Sequence, residues 1–104
     1  MSHPSKVKGS NFEREIVNMA KMYGLEAKRA YASNGESLGM DADVDCVIEG
    51  WKIQAKRRKK IASFLTPEGS AHIQVIRGDR QPAYAVLMLE DLLQLIKETK
   101  REER

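Results

Sequence analysis

Residues 43–56, DVDCVIEGWKIQAK, carry polar side chains of catalytic types at alternate positions of two short apolar segments. The segments Val44–Ile48 and Trp51–Lys56 flank Glu49-Gly50, a dipeptide that favours a two-residue hairpin turn. In a half-buried strand, one face is apolar and the other usually carries ordinary solvated residues. The polar face of this predicted hairpin instead holds carboxylates, an amide and an ammonium group.

A turn at Glu49-Gly50 fixes the pairing between the two predicted strands. Asp45 then faces Gln54, and Asp43 faces Lys56, so these four side chains share one face of the hairpin. The apolar residues share the other face: Val44, Cys46, Ile48, Trp51, Ile53 and Ala55.

Two carboxylates beside an amide oxygen and a lysine favour metal-assisted phosphodiester hydrolysis. Carboxylate and carbonyl oxygens suit Mg²⁺, with Mn²⁺ as the second choice. Lys56 could orient the attacking water or stabilise the charge that develops on phosphorus. The structural alternative is a surface hairpin whose cross-strand Asp–Lys pairs contribute only a few tenths of a kcal/mol each.

The charges of the chain are separated along the sequence. Residues 36–50 contain acidic side chains and no Lys or Arg, whereas residues 52–60 contain six basic side chains and no acid. The net charge is +3 and the pI about 9.1. This separation predicts an acidic pocket beside a basic ridge, as a metal site next to a phosphate track would need.

The 104 residues predict a single domain, with a loose arm over 1–9 and a frayed tail over 98–104. The single cysteine, Cys46, excludes an intramolecular disulfide, and no segment is apolar enough to cross a membrane. A cytoplasmic protein without a membrane partner is therefore expected. His3 and His72 have no spaced partner, so no zinc site is predicted.

The predicted elements are two long helices at the two ends of a series of strands. A helix begins at Ser10 or Asn11 and ends near Tyr23, before Gly24. Its predicted buried stripe consists of Phe12, Ile16, Met19, Ala20 and Tyr23. Strands are expected over 25–32, 44–48, 51–56, 72–77 and 84–89, with a helical turn over 61–65 and a closing helix from Leu89. This order predicts an α/β fold with a central mixed sheet flanked by helices.

From Lys8 to Lys60 the sequence resembles the archaeal-type Holliday-junction resolvases. The resemblance rests on KGSNFEREIV, then Arg29, a Ser-Gly loop and the Asp…Gln-x-Lys hairpin. These enzymes belong to the PD-(D/E)xK nucleases, so the resemblance implies a restriction-endonuclease-like fold. It also implies a Mg²⁺-dependent endonuclease that cuts four-way DNA junctions as a homodimer and reads shape rather than sequence.

The resemblance also implies roles for individual residues. Glu13, Asp45 and Gln54 would hold the metal, with Asp43 in reserve, while Lys56 and Ser37 would act at the scissile phosphate. The expected DNA contacts are basic: Lys8, Arg14, Lys28, Arg29, Arg57, Arg58, Lys59 and Lys60. The exposed apolar segment 61–65, with Phe64, is a candidate dimer surface.

The sequence departs from the family pattern in ways that leave alternatives open. Val44 stands where the family has proline, and Gln54 stands where it has glutamate or aspartate. An amide oxygen can bind Mg²⁺ but carries no negative charge. The alternatives are another small nuclease of the superfamily acting on flap or branched DNA, a DNA-binding module with a degenerate site, and an interaction protein with a basic surface.

Overall fold

A computed structural model describes residues 4–30 and 43–102 of the chain. These residues form an α/β protein with two helices and two small antiparallel sheets. The chain divides into two compact units, one ending at Arg57 and the other spanning Arg58–Glu102. The prediction of a single domain over 1–104 stays a prediction, and each unit is described by itself.

The first unit consists of a long helix and a three-stranded sheet. Its elements are α1 (Pro4–Met22), β1 (Ala27–Arg29), β2 (Cys46–Ile48) and β3 (Trp51–Ile53). The strand order is β1-β2-β3, and helix α1 packs against β1 and β2.

Helix α1 begins earlier than predicted. It starts at Pro4, so the prediction of a loose arm is wrong for residues 4–9, and Ser10 lies inside the helix. Proline is favoured at the first helical position because its φ is preset and its missing N–H would have no helical partner there. At the other end, Gly24 has a φ of 78°, which confirms the predicted stop.

The buried stripe of α1 is rotated relative to the prediction. Ile16, Val17 and Ala20 are buried, whereas the predicted members Phe12, Met19 and Tyr23 are only half-buried. Glu13 lies within the stripe, with 5% of its surface exposed. The predicted stripe did not include this charged residue, and its burial depends on a partner from β1.

The hairpin between β2 and β3 confirms the predicted turn and register. Cys46 pairs with Ile53, Val47 with Lys52 and Ile48 with Trp51. Glu49 and Gly50 have φ values of 48° and 84°. A type I′ turn requires positive φ at both central residues, and its twist matches that of the two strands.

The apolar face of this sheet is covered only in part. Val44, Cys46 and Ile48 are buried, as predicted, whereas Trp51 on the edge strand β3 is 64% exposed. Trp51 therefore lies on the predicted apolar face without being part of the core. The sequence period assigns a residue to a face, but burial also requires an element to cover that face.

The second unit contains a 3₁₀ turn, a hairpin and the closing helix. Its elements are the turn Ser63–Leu65, β4 (Ile73–Arg77), β5 (Ala83–Leu87) and α2 (Leu89–Glu102). Strands β4 and β5 pair antiparallel from Ile73–Leu87 to Arg77–Ala83. Gln74 Nε2 donates to the carbonyl oxygen of Phe64 at 2.9 Å, which ties the 3₁₀ turn to β4.

Helix α2 extends through most of the predicted tail. The prediction of fraying is wrong for residues 98–102, which are helical. Gln94 Nε2 donates to Glu98 Oε1 at 3.2 Å, and Thr99 Oγ1 donates to the carbonyl oxygen of Leu95 at 2.9 Å. The Gln94–Glu98 pair, four positions apart, supports the last turns of the helix.

Two findings bear on the predicted architecture. Within the described residues both sheets are antiparallel and separate, so the prediction of one central mixed sheet is wrong for this part of the chain. The restriction-endonuclease-like fold stays a prediction.

No helix among the described residues is long and apolar enough to cross a membrane.

Candidate functional site

The carboxylate of Glu13 lies at the interface between α1 and the sheet. Arg29 Nε donates to Glu13 Oε1 at 3.0 Å, and Arg29 Nη2 donates to Ser10 Oγ at 3.1 Å. Only 7% of the Glu13 side chain and 24% of the Arg29 side chain are exposed. A buried carboxylate requires a counter-charge, and β1 supplies it.

The sheet register explains why Arg29 points toward α1. Arg29 pairs with Cys46, which in turn pairs with Ile53, so the three side chains share one face of the sheet. Cys46 is fully buried on that face, and α1 packs against β1 and β2. Lys28 alternates to the opposite face and is exposed.

Asp45 connects both neighbouring strands at the start of β2. Its backbone N–H donates to the carbonyl oxygen of Ile53 at 2.8 Å, and its carbonyl oxygen accepts from the N–H of Ala30 at 2.9 Å. Its Oδ2 accepts from the N–H of Ala55 at 2.7 Å. Where the ladder between β2 and β3 ends, the Asp45 carboxylate thus accepts a backbone N–H in place of a carbonyl oxygen. This hydrogen bond holds the carboxylate in place.

The pKa of the Cys46 thiol is raised by burial and by the charges of Asp45 and Glu13. Its pKa is raised from 9.0 to about 11, first by burial and then by the negative charges of Asp45 and Glu13. Glu13 comes from α1 and Asp45 from the start of β2, 32 positions later in the chain. The charges of two carboxylates from distant segments thus act on one buried thiol.

The other hairpin residues lie beyond the ladder. Strand pairing ends at Cys46–Ile53, so the predicted pairs Asp45–Gln54 and Asp43–Lys56 are not ladder pairs in the structure. Asp43, Gln54 and Lys56 are exposed. Lys56 directly follows Ala55, whose N–H binds Asp45, so the backbone of this segment is attached to that carboxylate.

The predicted DNA contacts occupy different environments. Arg14 is exposed and donates to Asn11 Oδ1 at 3.3 Å, whereas Arg29 is engaged inside the first unit. The residues of the basic run are exposed: Arg57, Arg58, Lys59 and Lys60. Lys8 lies in α1, and Ser37 lies outside the described residues.

The donor atoms fit a hard divalent cation in type, although the set is small. Glu13 accepts a hydrogen bond at Oε1 and Asp45 at Oδ2, and carboxylate oxygens are ligands that such a cation prefers. Within residues 4–30 and 43–102, no three His, Cys, Asp or Glu side chains are grouped so that they could hold an ion. Among the predicted ligands, Gln54 and Asp43 could supply further oxygens.

Sequence reasoning missed Ser10 as a partner of Arg29. Ser10 was interpreted as a possible helix cap, because α1 was expected to begin there. Once α1 begins at Pro4, Ser10 and Glu13 are three positions apart on one helix face, which is the spacing of side chains that share a partner.

No family model, curated protein or solved structure matches this chain.

Proposed function

We propose that the protein is a metal-dependent, structure-selective DNA endonuclease that acts in the cytoplasm and resolves four-way junctions by phosphodiester hydrolysis. The observation that carries the proposal is that hydrogen bonds hold both carboxylates in place, Glu13 through Arg29 and Asp45 through the N–H of Ala55. The resemblance assigns both acidic residues to the metal; Glu13 lies in α1, and Asp45 directly precedes β2.

The residues around these carboxylates have separate tasks in this proposal. The carboxylates of Glu13 and Asp45 would hold Mg²⁺, and the amide oxygen of Gln54 would add a neutral ligand. When bound, the cation supplies Lewis-acid chemistry, polarising a phosphate oxygen and lowering the pKa of a water. The Lys56 ammonium would orient that water and stabilise the charge that develops on phosphorus.

Binding of the substrate would rely on phosphates rather than on bases. Arg14, Lys28 and the exposed run 57–60 carry the cations expected to contact the DNA backbone. A two-fold homodimer would present two sites to the two symmetric strands of a branched substrate. Phe64, 61% exposed, together with Ile61 supports the segment 61–65 as part of its interface.

A second candidate is a DNA-binding module that no longer cuts. Two observations favour it: Gln54 carries no charge, and the described residues contain no group of three acidic, histidine or cysteine ligands. Such a protein would retain the basic surface and the Glu13–Arg29 pair as structural features.

The test is cleavage of a labelled four-way junction beside a flap and a linear duplex of the same sequence. Symmetric cuts in the junction that require Mg²⁺ and are abolished by EDTA would support the resolvase. Cuts confined to the flap would favour another nuclease of this kind. Tight junction binding without cleavage in Mg²⁺ or Mn²⁺ would favour the binding module.

A further inference from the structure

The guanidinium of Arg29 is committed to two partners on α1. Nε binds Glu13 Oε1 at 3.0 Å, and Nη2 binds Ser10 Oγ at 3.1 Å. Both partners lie on the helix face that packs against the sheet, and β1 holds Arg29 in register with Cys46. The resemblance assigned this residue a different task, contact with the DNA backbone.

We infer that Arg29 is a positioning residue, which together with Ser10 holds the Glu13 carboxylate in its orientation between α1 and β1, and is not a phosphate contact. The inference rests on the proposed function where it concerns turnover. The guanidinium is a planar fork that can serve two acceptors at once, whereas a lysine ammonium lacks this fixed geometry. The bond from Nε to Oε1 fixes the orientation of the carboxylate.

Burial makes the pairing costly to exchange for a phosphate. Glu13 is 5% exposed, so removing Arg29 to contact DNA would leave a buried carboxylate without its counter-charge. Lys28, the neighbouring residue on β1, faces the opposite side of the sheet and is exposed. Adjacent positions of one short strand thus supply one internal cation and one cation accessible to DNA.

The first test compares Arg29→Gln with Lys28→Gln in junction binding and turnover. A phosphate contact lowers the slope of log affinity against log salt by about 1 when it is removed. We expect Arg29→Gln to leave that slope and KM unchanged while kcat falls at least about tenfold, and Lys28→Gln to lower the slope and raise KM. Arg29→Lys, which keeps the charge near Glu13, should recover part of the lost kcat. A lower slope and a higher KM for Arg29→Gln would overturn the inference.

The second test needs neither DNA nor cleavage. Unfolding equilibrium constants are measured for Arg29→Gln, Glu13→Gln and the double variant, and for Ser10→Ala with Arg29→Lys if Arg29→Gln does not fold. Coupled residues show interaction energies in such cycles, so the double variant should be destabilised about fivefold less than the product of the single effects. Multiplicative effects would show that Arg29 does not hold Glu13. If the protein cuts no DNA, this cycle still decides the inference separately from the proposed function.

Discussion

The backbone N–H of Ala55 donates to Asp45 Oδ2 at 2.7 Å, where the ladder between β2 and β3 ends. The side chain of Asp45 therefore acts as a backbone acceptor, in addition to any role toward a metal. The same contact fixes the start of the segment that carries Lys56. A structural and a chemical role of Asp45 can be separated, because only one of them requires a negative charge.

Asp45→Asn should retain most of the stability, since the amide oxygen can still accept from Ala55. Asp45→Ala removes the acceptor and should lower the free energy of unfolding by about 1–3 kcal/mol. Both variants should lose junction cleavage. Urea unfolding of the two variants checks the first part, and equal destabilisation by Asn and Ala would contradict the role of the Ala55 hydrogen bond.

Stability should fall in alkaline solution because of Cys46. Its pKa is about 11 in the folded protein against 9.0 ordinarily, so the unfolded chain loses the thiol proton first as pH rises. The stabilisation is complete below pH 9 and is lost up to about pH 11, amounting to about 2 kcal/mol. Unfolding in EDTA at pH 8 and pH 10.5 measures this loss. Cys46→Ala serves as the control for the other titrating groups, and an equal loss in both proteins would refute the prediction.

Gly50 is required by the conformation of the turn rather than by space. Its φ is 84°, and a Cβ at this position would meet no atom within 4 Å. Gly50→Ala should therefore lower the free energy of unfolding by about 1 kcal/mol through backbone strain alone. Thermal unfolding checks this value. A neutral effect would mean that the turn relaxes without cost.

Local signals account for what the sequence predicted correctly. The hairpin register follows from Glu49-Gly50 and a period of two, both confined to residues 44–56. The Glu13–Arg29 pair joins positions 16 residues apart and depends on how α1 lies across β1, which no local pattern encodes. The exposure of Trp51 likewise depends on the absence of a covering element at the edge of the described sheet.

We expect Lys59 and Lys60 of the basic run each to contact one DNA phosphate. Lys59 and Lys60 are exposed, as is Lys97 on α2, which no pattern assigns to DNA. Lys59→Gln and Lys60→Gln should each reduce the salt dependence of junction binding by about 1 in slope, and Lys97→Gln should leave it unchanged. Fluorescence anisotropy at salt concentrations from about 50 to about 200 mM measures the slopes. A slope that falls equally for Lys97→Gln would indicate non-specific attraction.

The central claim is that Glu13 and Asp45 together hold a divalent cation, and Mn²⁺ binding followed by electron paramagnetic resonance tests it directly. The proteins compared are wild type, Glu13→Gln, Asp45→Asn and Glu15→Gln, a control that removes an exposed carboxylate from the same helix. We expect wild type and Glu15→Gln to bind Mn²⁺ with equal affinity. Glu13→Gln and Asp45→Asn should each bind it at least about tenfold more weakly. Binding that is equal in all four proteins, or absent from wild type even with junction DNA present, would contradict it.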